Sequence, residues 1–218
     1  MTSTDKKEFV CAYFERFGEK IGRLPKMYSD AFSEEAFTLC VVYIDRLASG
    51  YYGGEAGKNR ENFCRALREL SGNPLFAMLH PQMLLQQAQE YFPSAFSLLS
   101  SIAESQPHHL LSEARIAIDV KSSDMKPREK QTLIENLWRA SIASVCYTDV
   151  RGPEIHGAGS GGMSFDESIF EGRKGVKLTF EVMYEALCRI FEHVKKKSAE
   201  TGHWFGNSNY PGPRPSDC

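Results

Sequence analysis

The chain has six cysteines but no C-x-x-C pair, which removes zinc ribbons and thioredoxin-type redox motifs. Cys11, Cys40, Cys64, Cys146, Cys188 and Cys218 are dispersed, mostly within apolar stretches such as Leu39-Cys40-Val41-Val42. A thiol in such a setting packs as a small hydrophobe. No His, Asp or Glu cluster has a familiar ligand spacing, so neither a metal nor a cofactor is expected. Long apolar runs are missing as well. The longest, Leu39 to Ile44, is far too short to span a bilayer, and Met1 to Lys7 carries no signal-peptide apolar region. A cytoplasmic, reducing setting away from the membrane is the expectation. There is no basic excess either. The formal net charge of −2 excludes the strongly basic domain of wholesale nucleic-acid binders and leaves any such contact local.

What is present reads as a helical protein. At 218 residues, 42% hydrophobic and 25% charged, the chain can bury one sizeable core. From Asp5 to Leu24, apolar positions recur at Phe9, Tyr13, Phe17, Ile21 and Leu24, the spacing of a helix that Leu24-Pro25 ends. Ser33, followed by Glu34 and Glu35, predicts a helix start. That helix runs through Phe37, Cys40, Val41 and Ile44 to Leu47 and stops among Gly50, Gly53 and Gly54. A third helix spans Asn59 to Leu70. Asn73-Pro74 restarts the chain as cap and first helical residue, and Pro81, Pro93 and Pro107 cut the stretch to Ile118 into short helices.

Lys126 to Val150 gives the longest helical pattern, apolar at Ile134, Leu137, Trp138, Ile142, Val145 and Cys146. The period then changes. Met163 to Phe170 and Val176 to Phe180, around Glu171-Gly172-Arg173-Lys174-Gly175, predict a small β-hairpin before a last helix from Phe180 to Lys197. From Gly202 the chain is rich in Gly, Pro, Asn and Ser. The expected architecture is a mostly α helical bundle with a β-hairpin insertion, one domain over 1–201 and an irregular tail over 202–218.

One segment carries candidate chemistry: Val150-Arg151-Gly152-Pro153-Glu154-Ile155-His156-Gly157. On a continuous helix Arg151 and His156 would stand roughly 140° apart, at about 100° per residue. Pro153 has no N–H and pushes Gly152 out of the helical region, so His156 could swing back toward the guanidinium. The spacing itself is one that chance supplies readily among 13 arginines and 6 histidines. Arg189 and His193, four apart within the last helix, show how easily such pairs arise, and read as a solvated helix face. Asp45, in an otherwise apolar helix, is the third residue of interest. It could orient Arg151 or His156, or be an exposed acid or a structural ion pair.

Other motifs fall away on context. Gly157-Ala158-Gly159-Ser160-Gly161-Gly162 fits G-x-G-x-x-G, but the order helix, glycines, strand is wrong for a dinucleotide site. Gly53 to Lys58 lacks the Ser or Thr of a phosphate loop after its lysine. Lys195-Lys196-Lys197 complements a helix dipole, and with Arg173, Lys174 and Lys177 it could form a basic rim for RNA.

A helix running into Arg-x4-His within a small helical domain resembles the HEPN superfamily, the higher eukaryote and prokaryote nucleotide-binding domains. The stretch Leu39-Cys40-Val41-Val42-Tyr43-Ile44-Asp45-Arg46-Leu47-Ala48-Ser49-Gly50-Tyr51-Tyr52-Gly53 looks like the earlier helix of members of this type. The resemblance implies a dimerising helical bundle that cleaves or binds RNA without metal in a defence, toxin–antitoxin or stress setting, with RNA and a cognate protein as partners. It implies catalysis by Arg151 and His156, with Asp45 in support. His156, titrating near neutrality, would take the proton of a ribose 2′-hydroxyl while Arg151 holds the phosphate. One chain offers one such histidine, so two copies would build the site together. The alternative is a non-catalytic helical interaction module in which Arg151 and His156 are structural. A nucleotide-binding regulatory protein is a third reading.

Overall fold

A computed structural model of the chain describes residues 3–54, 57–105, 109–151 and 179–210. Helix α1 (Ser3–Gly22) is followed by the short α2 (Leu24–Ser29), which Pro25 opens, and then by α3 (Ser33–Tyr52), which Gly53 ends at φ 98°. The α1 sequence carries two apolar stripes of helical period, and only one enters the core. Val10, Phe14, Phe17 and Ile21 are buried, whereas Phe9 is 62% exposed and Tyr13 half-buried. Helix α3 is the central element. It buries Ala36, Phe37, Cys40, Val41, Ile44, Leu47, Ala48 and Gly50 and packs against α2, α4 (Asn59–Glu69) and the last helix.

Asn73 caps a 3₁₀ turn (Pro74–Ala77) by accepting from the Leu75 N–H at 3.0 Å. Helices α5 (Pro81–Tyr91) and α6 (Phe96–Ser105) form a packed pair, and α7 (Glu113–Ser122) and α8 (Pro127–Asn136) follow. The long pattern expected over 126–150 is interrupted. A 3₁₀ turn (Leu137–Ala140) leads to Ser141, whose extended backbone (φ −73°, ψ 158°) ends the run and whose hydroxyl caps α9 (Ile142–Val145). Long-range pairing holds that break: His80 N–H donates to Ala140 and Ile142 N–H to Met78, both at 2.9 Å. On its other side Leu79 exchanges two backbone bonds with Leu111. Leu79 thus ties the entries to α5, α7 and α9 together in the interior, where an unpaired peptide group is costly.

The expected β-hairpin requires correction. Among the described residues there is no strand or sheet, only the isolated bridges from Leu79 to Leu111 and Ser141. Phe180, where the second strand was expected to end and the last helix to begin, opens α10 (Phe180–Thr201) behind an extended Thr179. Its ring stacks on Tyr28 at 4.2 Å, and it begins the buried stripe Phe180, Met183, Leu187, Ile190 and Val194. Residues 163–178 lie outside the described residues.

Within residues 202–210, the described part of the expected irregular tail, Phe205 is packed into the core while Ser208 and Asn209 are exposed. After α10 ends at Gly202 (φ 67°), a 3₁₀ turn (Trp204–Gly206) drives Phe205 into the core, where it is 0% exposed. Its ring meets Phe14, Tyr13 and Tyr210 edge-on, and the bare Cα of Gly50 on α3 provides its seat. Phe205 holds a left-handed backbone (φ 54°), a conformation that non-glycine residues adopt at some cost. The burial of a whole aromatic side chain offsets it.

Candidate functional site

The segment that ends at Arg151 is built from the Ser141 cap onward. Helix α9 runs directly into a π-helical turn (Cys146–Arg151), a rare form concentrated at functional sites. Thr148 adds to the wide turn by donating its hydroxyl to the carbonyls of Ser144 and Val145. The turn packs against α3 and α4, with the Tyr147 ring 5.5 Å from Phe63.

Asp45 lies on α3, partly buried. At about 100° per residue it shares a flank with Val41, Ala48 and Tyr52. Tyr52 donates to Glu69 of α4 at 3.1 Å and lies under the Arg65 guanidinium at 4.3 Å, so this flank faces α4. Burial, and after it the Glu69 carboxylate, push the Tyr52 hydroxyl well above its ordinary range. Asp45 and the turn ending at Arg151 therefore occupy the α4 side of α3. His156, the Gly157–Gly162 segment and the basic residues Arg173, Lys174 and Lys177 lie outside the described residues.

The same region holds an arginine that no motif marks in the sequence. Arg60, one residue into α4, donates through Nη2 to Ser144 Oγ at 2.6 Å, while its buried Nε finds no acceptor among the described residues. Ser144 stands seven residues before Arg151 on the α9–π segment. A signal for Arg60 did exist. It occupies the apolar line of α4 shared by Phe63, Cys64 and Leu67, a place where a cation needs a reason. Beside it, Arg139 lies over the rings of Tyr91 and Trp138 at 5.6 and 5.5 Å.

The remaining candidates are structural. Burial raises the Cys40 and Cys64 thiols from 9.0 to about 12, which removes them as nucleophiles near neutral pH. Arg189 pairs with Glu185 at 2.6 Å on an exposed face, and His193 bonds the Tyr51 hydroxyl at 3.2 Å. His80 is a buried residue at the start of α5, its backbone tied to Ala140. Among the described residues no group of three His, Cys, Asp or Glu is placed to hold a metal ion. Nor is any helix among them long and apolar enough to cross a membrane. No family model, curated protein or solved structure matches the chain.

Proposed function

We propose that this protein handles RNA phosphodiesters as a homodimer, binding or cleaving them without metal. Arg151 holds the phosphate, His156 moves the proton and Asp45 orients one of the two. The observation that supports this reading is the π-helical turn that ends at Arg151, seated on the same side of α3 as Asp45. Phosphate recognition by a guanidinium calls for a short, internally bonded backbone scaffold, and the turn that ends at Arg151 supplies one. Arg60, lodged on the same segment at Ser144, adds positive charge to that side without a carboxylate partner among the described residues.

In this reading His156 accepts the proton of a ribose 2′-hydroxyl, and the oxygen attacks the adjacent phosphorus. The P–O5′ bond breaks, and a proton from the motif of the second copy completes the leaving hydroxyl. The products are a 2′,3′-cyclic phosphate and a 5′-hydroxyl, so atoms and charge balance with no metal or cofactor. The chain's five free cysteines among the described residues suit a reducing, cytoplasmic setting.

The experiment has two parts. Native mass in solution should show a dimer; a strict monomer at assay concentration removes the shared site. RNA incubated in chelator should be cut by the wild-type chain and not by His156→Ala or Arg151→Ala. Equal cutting by all three overturns the nuclease reading. A non-catalytic interaction module draws its support from Phe32, Phe96 and Ile118, which are large, apolar and exposed. Binding of a partner protein, with neither binding nor cutting of RNA, would favour it.

A further inference from the structure

The opposite flank of α3 carries a second feature, independent of the Arg151 reading. The α1 stripe left out of the core, with Tyr13 at its middle and Phe9 at its open end, forms one wall of a groove of about 520 Å³. Tyr43 and Arg46 of α3 line it as well, together with Trp204. The volume falls within the range of small-molecule sites, roughly 300–1,000 Å³.

Two kinds of chemistry line it. The first is aromatic: Tyr13 meets Trp204 edge-on at 5.2 Å, and Phe17 meets Tyr43 edge-on at 5.0 Å. Edge-on pairing holds each ring in place and sets neighbouring rings crosswise. The second is cationic: Arg16, Lys20 and Arg46 line the groove, and no carboxylate among the described residues does. Arg46 is steadied by the bond from its Nε to the Tyr13 hydroxyl at 3.2 Å. Three like charges around one concavity repel each other and concentrate anions there. Planar guanidinium groups beside rings suit phosphate recognition together with stacking.

We propose that this groove binds a small phosphate ester carrying a flat ring. The ring lies against the Tyr13–Trp204 wall, and the phosphate is held by Arg16, Lys20 and Arg46. A simple aryl phosphate and a mononucleotide share that chemistry, and the titration distinguishes them.

Trp204 reports on the site, because the chain has only two tryptophans. In Trp138→Phe protein, Trp204 fluorescence is titrated with phenyl phosphate, adenosine monophosphate, inorganic phosphate and phenol. The expected result is a saturable change with at least one ringed phosphate, in the millimolar range or tighter, and none with phosphate or phenol alone. The tighter of the two ringed probes identifies the source. Arg16→Gln/Lys20→Gln, both on exposed positions, should weaken binding about tenfold or more with an unchanged melting temperature. Absence of a saturable change with either ringed phosphate overturns the proposal. So does an equal response to inorganic phosphate, or a double variant that binds as well as its parent. Calorimetry of the wild-type chain with the same four probes measures the same binding without the tryptophan substitution. RNA cleavage plays no part in the readout, so failure here leaves the Arg151 proposal untouched.

Discussion

Replacing Gly50 by alanine tests whether the segment after α10 is part of the fold. On helix propensity alone the change should stabilise, since alanine is favoured over glycine in a helix interior by about 1 kcal/mol. The structure reverses that sign. A methyl at Gly50 would collide with Cγ, Cδ2 and Cδ1 of Phe205, the last at 2.7 Å, and these atoms are the root of a ring hemmed in by Phe14, Tyr13 and Tyr210. Relief requires overpacking, at about 1–3 kcal/mol, or loss of the ring from its site, at about 3–5 kcal/mol. After the propensity gain of about 1 kcal/mol, Gly50→Ala should be less stable than wild type by up to about 2 kcal/mol if the core absorbs the methyl, and by about 2–4 kcal/mol if the ring leaves its site. In a Phe205→Ala background the clash vanishes, and the same substitution should be neutral or stabilising by up to about 1 kcal/mol. Urea unfolding of the four proteins of this cycle measures the coupling directly. If Gly50→Ala stabilises the otherwise wild-type chain, Phe205 does not occupy that seat and residues 202–210 are not docked as described.

Four further outcomes follow from backbone geometry and buried thiols. Gly202→Ala forces a side chain into the left-handed cap of α10 and should lower stability by about 1–2 kcal/mol. Gly22→Ala meets nothing within 4 Å and needs no unusual backbone, so it should be neutral or stabilising by up to about 1 kcal/mol in the same urea assay. Iodoacetamide at pH 8 should modify the exposed Cys11 in the native chain and spare Cys40 and Cys64 until the protein is unfolded, as peptide mass mapping would show. Because those two thiols are raised in the folded chain, the unfolded chain loses its protons first. Their contribution is therefore flat below about pH 8 and erodes as pH climbs from 9.0 toward about 12, which denaturant midpoints across that window would reveal. Rapid native labelling of Cys40 or Cys64 would refute their burial.

Much of the helical organisation is written locally. The Asn73-Pro74 start, the Gly53 stop and the α10 stripe each combine a periodic apolar face with its own terminating residue. Where the sequence misleads, the deciding interaction is distant. Ser141 sits in an apolar helical run, and only its neighbours' pairing with Met78 and His80 turns it into a break and a cap. Phe9 and Tyr13 have the same spacing as Val10 and Phe14, so periodicity alone cannot choose which stripe faces the core. Phe205 is hidden by the Gly- and Asn-rich composition around it, since its burial depends on a glycine 155 positions earlier. At the candidate site, Asp45 is legible as a carboxylate in an apolar helix. Arg60 is legible only as a cation on an apolar line, a signal that gains meaning once Ser144 is beside it.

Central to the proposed function is attack by a ribose 2′-hydroxyl on its own phosphodiester, driven by Arg151 and His156. The chemistry of the cut end tests it most directly. RNA treated with the wild-type chain in chelator should yield fragments ending in 2′,3′-cyclic phosphate, and His156→Ala should yield none. Fragments ending in a free 3′-hydroxyl, or cyclic ends formed equally by His156→Ala, would contradict it.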